Sequence, residues 1–151
     1  MNKLTVLLYI FCLPLRHLTL TSPYGFRVHP ITGKYCFHEG IDLRAHQDTV
    51  YAVLKGVVQQ TGYHSLLGIF IRLDHGQFQT TYGHLSQLFV LAGDSVCASC
   101  PIGITGATGQ TTGEHLHFSV KFNGQYINPL KFLTDIQNNL NEIKRRTTNE
   151  Q

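Results

Sequence analysis

The fold is decided by the stretch Gly113-Glu114-His115-Leu116-His117-Phe118-Ser119-Val120-Lys121-Phe122, in which apolar and polar residues alternate along most of the length. A period of two is typical of a half-buried strand. Such a strand would turn the even-numbered apolar side chains into a core and would place His115 and His117 side by side on its outer face. On a helix, residues two apart point in different directions. The strand therefore lets both imidazoles reach one bound atom, although a bare His-x-His also occurs in ordinary strands with two surface histidines.

The composition is that of one globular domain. The chain has 151 residues, of which 42% are hydrophobic, and this is enough for a real core. Only 14% are charged and the net charge is +3, which argues against a dedicated nucleic-acid binder with its dense basic patch. The one basic cluster, Lys144-Arg145-Arg146, is typical of a solvated helix end. Nine histidines are many for this length and need an explanation.

The N-terminus carries a lysine at position 3 and then an apolar run from Leu4 to Leu15. The run is too short to span a bilayer, for which about 20 residues are needed. It is typical of the apolar part of a secretory signal peptide, so we expect residues 1–21 to form a leader and the protein to reach the periplasm, cell envelope or exterior. A buried N-terminal strand or helix is the alternative. Lipidation of Cys12 is disfavoured, because the residues just before it are large.

The four cysteines are Cys12, Cys36, Cys97 and Cys100. The last two have Cys-x-x-Cys spacing, but a zinc finger needs a second pair of ligands. No strand-then-helix context for a thioredoxin-like motif surrounds them. A local disulfide or two free thiols are therefore the expectations for this pair.

Short segments rich in β-branched and apolar residues alternate with Gly-rich turns along most of the chain. This pattern predicts many short strands and an all-β domain. Apolar residues at helical spacing from Leu130 to Arg146 predict one C-terminal helix that docks on the core. Residues 22–33 are rich in Gly and Pro and indicate a loop. The predicted strands lie at residues 49–54, 56–61, 68–76, 78–85, 102–105 and 113–122.

A second histidine pattern lies in Phe37-His38-Glu39-Gly40-Ile41-Asp42-Leu43. The glycine and the preceding loop disfavour a helix, so we predict a turn that leads into a strand. His38, Asp42 and one histidine of the His-x-His pair are candidate ligands. Two imidazoles, a carboxylate and one open position suit catalytic zinc, and iron in a two-His-one-carboxylate site is the chemical rival. Taken alone, this spacing also fits a structural aspartate that caps a turn.

The stretch from Ser22 to Leu133 resembles the LytM-type, lysostaphin-like zinc peptidases, which are peptidoglycan endopeptidases. The resemblance depends on the order and context of several motifs, since each alone is unspecific. The motifs are Tyr24-Gly25-Phe26-Arg27-Val28-His29-Pro30, His38-Glu39-Gly40-Ile41-Asp42, Tyr82-Gly83-His84-Leu85, Gly106-Ala107-Thr108-Gly109, His115-Leu116-His117-Phe118 and Asn128-Pro129. It implies a twisted antiparallel, barrel-like sheet with the site in a groove across it.

Carried over residue by residue, the resemblance implies that His38, Asp42 and His117 bind zinc. His84 and His115 would line the open side of the metal without binding it. His115 is then expected to act as general base and His84 to stabilise the oxyanion, although the two roles could be exchanged. The strand pattern agrees, because it puts one histidine of the pair in place as a ligand and the other beside the metal.

The resemblance further implies a zinc metallo-endopeptidase, with one zinc ion per chain, that hydrolyses cross-links or stem peptides of bacterial peptidoglycan. The alternative is a non-catalytic LytM-like domain that binds the cell wall or activates another hydrolase. Such domains typically lack some metal ligands, all of which are present here. We expect a monomer with no nucleic-acid partner and no stable membrane span. The expected division is a peptidase domain over residues 22–135 and a C-terminal helix and tail over residues 136–151.

The remaining histidines have structural interpretations. His75 matches a histidine that the family often has in this strand, and we expect it to be structural. His29 is expected at the rim of the groove, and His46 and His64 in loops.

Overall fold

The structure, a computed structural model, describes residues 11–148. Within this range, ten antiparallel strands form one sheet, two form a separate hairpin, and one helix follows. The all-β prediction with a C-terminal helix is thus confirmed. The strands are β1 (Leu20–Ser22), β2 (Gly25–Val28), β3 (Tyr35–His38), β4 (Ile41–Arg44), β5 (Thr49–Tyr51), β6 (Gly56–His64), β7 (Gly68–Asp74), β8 (Phe78–Leu88), β9 (Ser95–Val96), β10 (Pro101–Thr105), β11 (His115–Phe122) and β12 (Gln125–Ile127), and the helix is α1 (Pro129–Thr148).

The His-x-His strand, β11, lies in the middle of the sheet. The main path of the sheet runs β1-β4-β11-β8-β7-β6-β9, and β2 pairs with β3 in the hairpin. β11 therefore has β4 on one side and β8 on the other, and both neighbours carry residues that the sequence marked for the site. Because side chains on paired strands lie about 5 Å apart, this order brings distant parts of the chain onto one face.

The alternation of β11 sorts its side chains onto two faces as predicted, although Ser119 on the groove face is buried and Phe122 at the end of the strand is exposed. Leu116, Phe118 and Val120 are fully buried in the core, where each contributes about 1.5–3 kcal/mol by leaving water. Phe122 was expected in the core, but it remains 38% exposed. It is the last residue of the strand and lies at the margin of the core, where the centroid of its ring is 4.9 Å from that of the Phe78 ring.

The N-terminal segment from residue 11 onward belongs to the packed unit. Phe11 and Leu15 are buried in the main core. The backbone N–H of Cys12 donates to the carbonyl of Val53 at 2.9 Å, and β1 pairs with β4. Most of the apolar run that predicts a leader, residues 4–10, lies outside the described residues. Cleavage of residues 1–21 stays a prediction, but the packed unit begins before the expected boundary at 22.

The interpretation of residues 22–33 as a loop was wrong for one part, since Gly25–Val28 is strand β2 and pairs with β3. The alternation there covers only four residues, which is too short to stand out among Gly and Pro. His64, expected in a loop, is the last residue of β6. Helix α1 begins at Pro129, so the expected division at 135/136 falls inside it.

Cys97 and Cys100 form a disulfide, which was one of the two expectations, and Cys12 and Cys36 are free thiols. The bond closes the turn between β9 and β10. Among residues 11–148, no helix combines the length and apolar character that crossing a membrane requires.

Candidate metal centre and active site

A groove of about 920 Å³ crosses the outer face of the sheet. Its lining includes all five residues that the sequence marked for the site: His38, Asp42, His84, His115 and His117. They come from four separate strands or strand ends, so only the folded sheet brings them together. The hairpin β2–β3 contributes to one wall, and residues 110–114, just before β11, contribute to the lining as well.

The three predicted metal ligands converge on one point. His117 lies directly opposite Asp42 in the β11–β4 register. Asp42 Oδ1 is 3.1 Å from His117 Nδ1 and 3.3 Å from His38 Nε2, and the two imidazole nitrogens are 3.2 Å apart. One ligand atom from each residue lies within 4.8 Å of the other two. The described residues contain this one His/Asp cluster with ligand geometry.

The donor set fits a zinc ion. Two imidazoles and a carboxylate on one side, with the groove open on the other, match the three-ligand pattern of catalytic zinc sites. His38 Nδ1–H donates to the carbonyl of Pro23 at 2.8 Å, which fixes the ring and leaves Nε2 directed at the cluster. Such a hydrogen bond on the remote nitrogen is the usual way in which a protein orients a ligating histidine.

The turn between His38 and Asp42 lies so close to β11 that position 40 must be a glycine. A Cβ atom at this position would lie 2.6 Å from the backbone oxygen of Phe118 and 2.7 Å from Cε1 of His117. The turn therefore passes so close to β11 that no side chain fits. This close approach holds His38 and Asp42 against His117.

Asp42 carries the dominant charge of the cluster. Burial by itself would raise the pKa of this carboxyl, but hydrogen bonds from His115, His117 and His38 hold the pKa well below its usual range. Its second oxygen, Oδ2, lies 3.7 Å from Nη2 of Arg27. Asp42 is thus ionised, with one oxygen toward the histidines and the other toward a guanidinium, and this arrangement favours cation binding.

His115 faces the cluster through Nε2, which lies 3.5 Å from Asp42 Oδ1. Its Nδ1–H donates to the carbonyl of Gly113 at 2.8 Å, and the Thr111 hydroxyl lies 3.1 Å from the same nitrogen. Burial lowers the pKa of His115, but the hydrogen bonds to Asp42 and to Gly113 outweigh it and raise the pKa above the ordinary value. The ring is thus fixed beside the cluster, outside the set of three predicted ligands.

His84 occupies an uncommon backbone conformation, with φ at 59°. Its own N–H donates to the carbonyl of Leu67, and its Nδ1–H donates to the carbonyl of Thr108 at 2.7 Å. These two bonds aim Nε2 into the groove, and the ring lies 4.6 Å from that of His115. Burial lowers the pKa of His84 to about 4. His84 is therefore a neutral imidazole near pH 7.

The sequence did not reveal that Arg27 and Thr108 contact residues of the candidate site. Arg27 stands in a motif quoted for the resemblance, yet its contact with Asp42 depends on the hairpin, which the sequence did not reveal. Thr108 holds His84 through its carbonyl, and its hydroxyl donates to Leu85 O at 2.6 Å. The Gly-rich loop in which it lies was the available signal.

The other histidines lie outside the cluster. His75 hydrogen-bonds to Lys55 O at 2.7 Å through Nδ1 and to Thr80 Oγ1 at 2.8 Å through Nε2, as a structural residue would. His29 accepts backbone hydrogen bonds within its own turn and also lines the groove. His46 is exposed and contacts Glu114.

A family comparison agrees with the geometry. The model of peptidase family M23 matches residues 36–129, which include all five predicted site residues. The LytM-type resemblance that the motifs suggested is thereby confirmed.

Curated relatives and solved structures extend the comparison. The DD-carboxypeptidase/endopeptidase Mpg of Neisseria meningitidis is 39% identical over 119 residues, which are 78% of this chain and 27% of Mpg. The peptidoglycan DD-endopeptidase ShyA of Vibrio cholerae is 36% identical over 107 residues, covering 70% of this chain and 25% of ShyA. The crystal structure of a zinc-containing peptidase from Vibrio cholerae aligns with a TM-score of 0.67 and 32% identity, over 80% of this chain and 37% of that one. The chain spans about a quarter of the length of these two curated relatives.

Proposed function

Because the chain belongs to peptidase family M23, we propose that it is a zinc metallo-endopeptidase that hydrolyses peptide bonds of bacterial peptidoglycan. The observation that carries the proposal is the convergence of His38, Asp42 and His117 on one point in an open groove, with His84 and His115 beside them. The relatives named as DD-endopeptidases support the substrate class. The bond would lie in a cross-link or in a stem peptide.

His38, Asp42 and His117 would hold the zinc ion, one per chain. When bound, zinc supplies a Lewis acid for the scissile carbonyl and lowers the pKa of a bound water toward neutrality. The same donor set would also fit iron, and the zinc-containing peptidase of known structure is what supports zinc.

His84 and His115 would handle the protons. Each donates Nδ1–H to a backbone carbonyl, so in the neutral ring Nε2 is an acceptor that faces the groove. One ring would take the proton of the attacking water, and the other, when protonated, would donate to the oxyanion. We assign His115 as the base and His84 as the donor to the oxyanion; the two roles can be exchanged, because both rings present Nε2 to the groove.

The test compares zinc content and hydrolysis in the full chain and in two histidine variants. Wild type should hold about one zinc per chain by elemental analysis and should release cleaved peptides from purified sacculi, whose masses identify the bond. His117→Ala should lose both the metal and the activity, because it removes one of three ligands. His46→Ala is the matched control, since its side chain is 88% exposed and lies outside the cluster. Full activity in His117→Ala would contradict the ligand assignment.

The alternative, a wall-binding or activator domain without hydrolysis, makes a different prediction in the same assay. A folded wild-type protein that binds sacculi but holds no zinc and releases no peptide would establish it. The complete set of metal ligands is the observation against it.

A peptidoglycan substrate places the working site at the cell envelope or outside the cell, and we propose that location. The Cys97–Cys100 disulfide supports it, because such bonds persist in oxidising compartments. Whether residues 1–21 are removed on export would follow from N-terminal sequencing of the protein recovered from the envelope.

A further inference from the structure

Arg72 lies in the groove away from the proposed zinc ligands. It is in β7, which is separated from β11 by β8. Thr81 of β8 pairs with Ser119 on one side and with Arg72 on the other, so these three residues form one row across the sheet. Ser119 is two residues from His117. Because neighbouring strands lie about 4.8 Å apart, the row places Arg72 roughly 12 Å from His117 between Cα atoms.

The guanidinium of Arg72 is held in place by uncharged neighbours. Nη1 donates to Gln60 Oε1 at 2.9 Å, and Nε lies 3.5 Å from Thr81 Oγ1. Cζ stacks over the buried Phe70 ring at 5.6 Å from the centroid. A long side chain would otherwise lose conformational entropy on binding a ligand, and these contacts reduce that cost in advance.

The positive charge of Arg72 has no carboxylate partner in the described part of the chain. The ion pairs found within residues 11–148 involve other cations, and no Asp or Glu there lies within 4.0 Å of this guanidinium. Arg27, by contrast, is paired with Asp42. A fixed, half-buried and unpaired guanidinium in a groove is suited to bidentate binding of a carboxylate.

We propose that Arg72 binds a free carboxylate of the peptide substrate, within about four residues of the bond that is cut. The estimate of about four residues follows from the roughly 12 Å span and a rise of about 3.3 Å per residue in an extended peptide. The proposal rests on the proposed peptidase function, because it names which part of a peptide the groove recognises. Arg72 is then a specificity-determining residue, and the groove prefers peptides that carry a carboxylate there over their amides.

The experiment measures equilibrium binding first, so that it does not depend on cleavage. Synthetic stem peptides with free carboxylates are compared with two amides, one blocked at the C-terminus and one at the side-chain carboxyl. Binding is measured to the His117→Ala variant, in which hydrolysis is removed, with Arg72 intact or replaced in Arg72→Gln. Arg72→Gln should weaken binding of the free peptide by about 10- to 100-fold, the range for a hydrogen-bonded charge. It should leave one of the two amides unchanged, and that amide identifies the carboxylate.

Three comparisons make the result decisive. Arg44→Gln removes an equal charge from an exposed position in the same groove, and it should affect free and amidated peptides alike. Arg72→Lys should retain part of the preference for the free carboxylate, because it keeps the positive charge but lacks the paired N–H donors of the guanidinium. In the zinc-loaded enzyme, Arg72→Gln should raise KM for the free peptide more than it lowers kcat.

Equal effects of Arg72→Gln on the free peptide and on both amides, or no effect, would overturn the proposal. Wild type that binds with the expected preference but cleaves nothing would instead contradict the proposed function and leave the carboxylate site standing.

Discussion

Replacing Gly40 by alanine is the most direct perturbation of the proposed metal centre that keeps all three ligand residues. The new Cβ would lie 2.6 Å from Phe118 O and 2.7 Å from His117 Cε1, where ordinary contact begins at 3.4 Å. About 0.8 Å of movement is therefore needed. Phe118 O belongs to the central strand and cannot yield easily, so the turn that carries His38 and Asp42 must move. Metal sites tolerate only about 0.2 Å in their ligand distances.

We therefore expect Gly40→Ala to weaken zinc binding by at least about tenfold and to reduce the free energy of unfolding by about 1–3 kcal/mol, the usual cost of overpacking. Zinc affinity would be measured by competition with a chelator, and stability by urea denaturation of the metal-free protein. Gly62→Ala is the matched control, since its Cβ would meet only Phe70 Cε1 at 3.9 Å. Equal zinc affinity and equal stability in the two variants would refute the close-approach argument.

Two further predictions concern parts of the domain away from the metal. Burial lowers the pKa of His75 in the folded protein. The unfolded chain therefore binds a proton at this imidazole more tightly than the folded chain does. As a result, the stability that the neutral ring contributes is lost as the pH falls through about 6.5 toward the lower folded pKa. His75→Gln should accordingly lose less stability than wild type between about pH 7.5 and pH 5, as measured by urea denaturation, and equal losses would contradict this origin. Removing the Cys97–Cys100 bond in a Cys97→Ser/Cys100→Ser variant should reduce the free energy of unfolding by about 2 kcal/mol, the loop-closure value for a ring this small. A reducing agent should destabilise wild type by the same amount and leave the double variant unchanged.

Much of the fold could be read from local pattern. The alternation in β11 predicted both its strand and the side of it that is buried, because side chains alternate with a period of two in any strand. The helix followed from its apolar spacing. The hairpin β2–β3 was missed, since its alternation is brief and Gly and Pro surround it. Burial of Phe11 and Leu15 was left as an alternative, because an apolar run looks the same in a leader and in a core.

For the candidate site, the sequence predicted the five central residues but not the residues that contact them. Residue type and motif order marked all five residues, and the groove contains all of them. The contacts of Arg27 with Asp42 and of Thr108 with His84 could not be anticipated, since each joins residues far apart in the chain. Arg72 gave no signal, because an arginine in a strand is ordinary until its neighbours are known.

The sequence by itself determined that this chain forms a β domain with a His-x-His strand and carries enough His and Asp side chains for one metal ion. Only the tertiary structure decided that His117 lies opposite Asp42 and that His38 Nε2 comes within 3.2 Å of His117 Nδ1. It also decided that Gly40 lets the turn approach β11. The physical reason is that alternation is set by sterics between neighbouring residues. Strand register and close approach are set instead by how the buried faces of distant segments pack together.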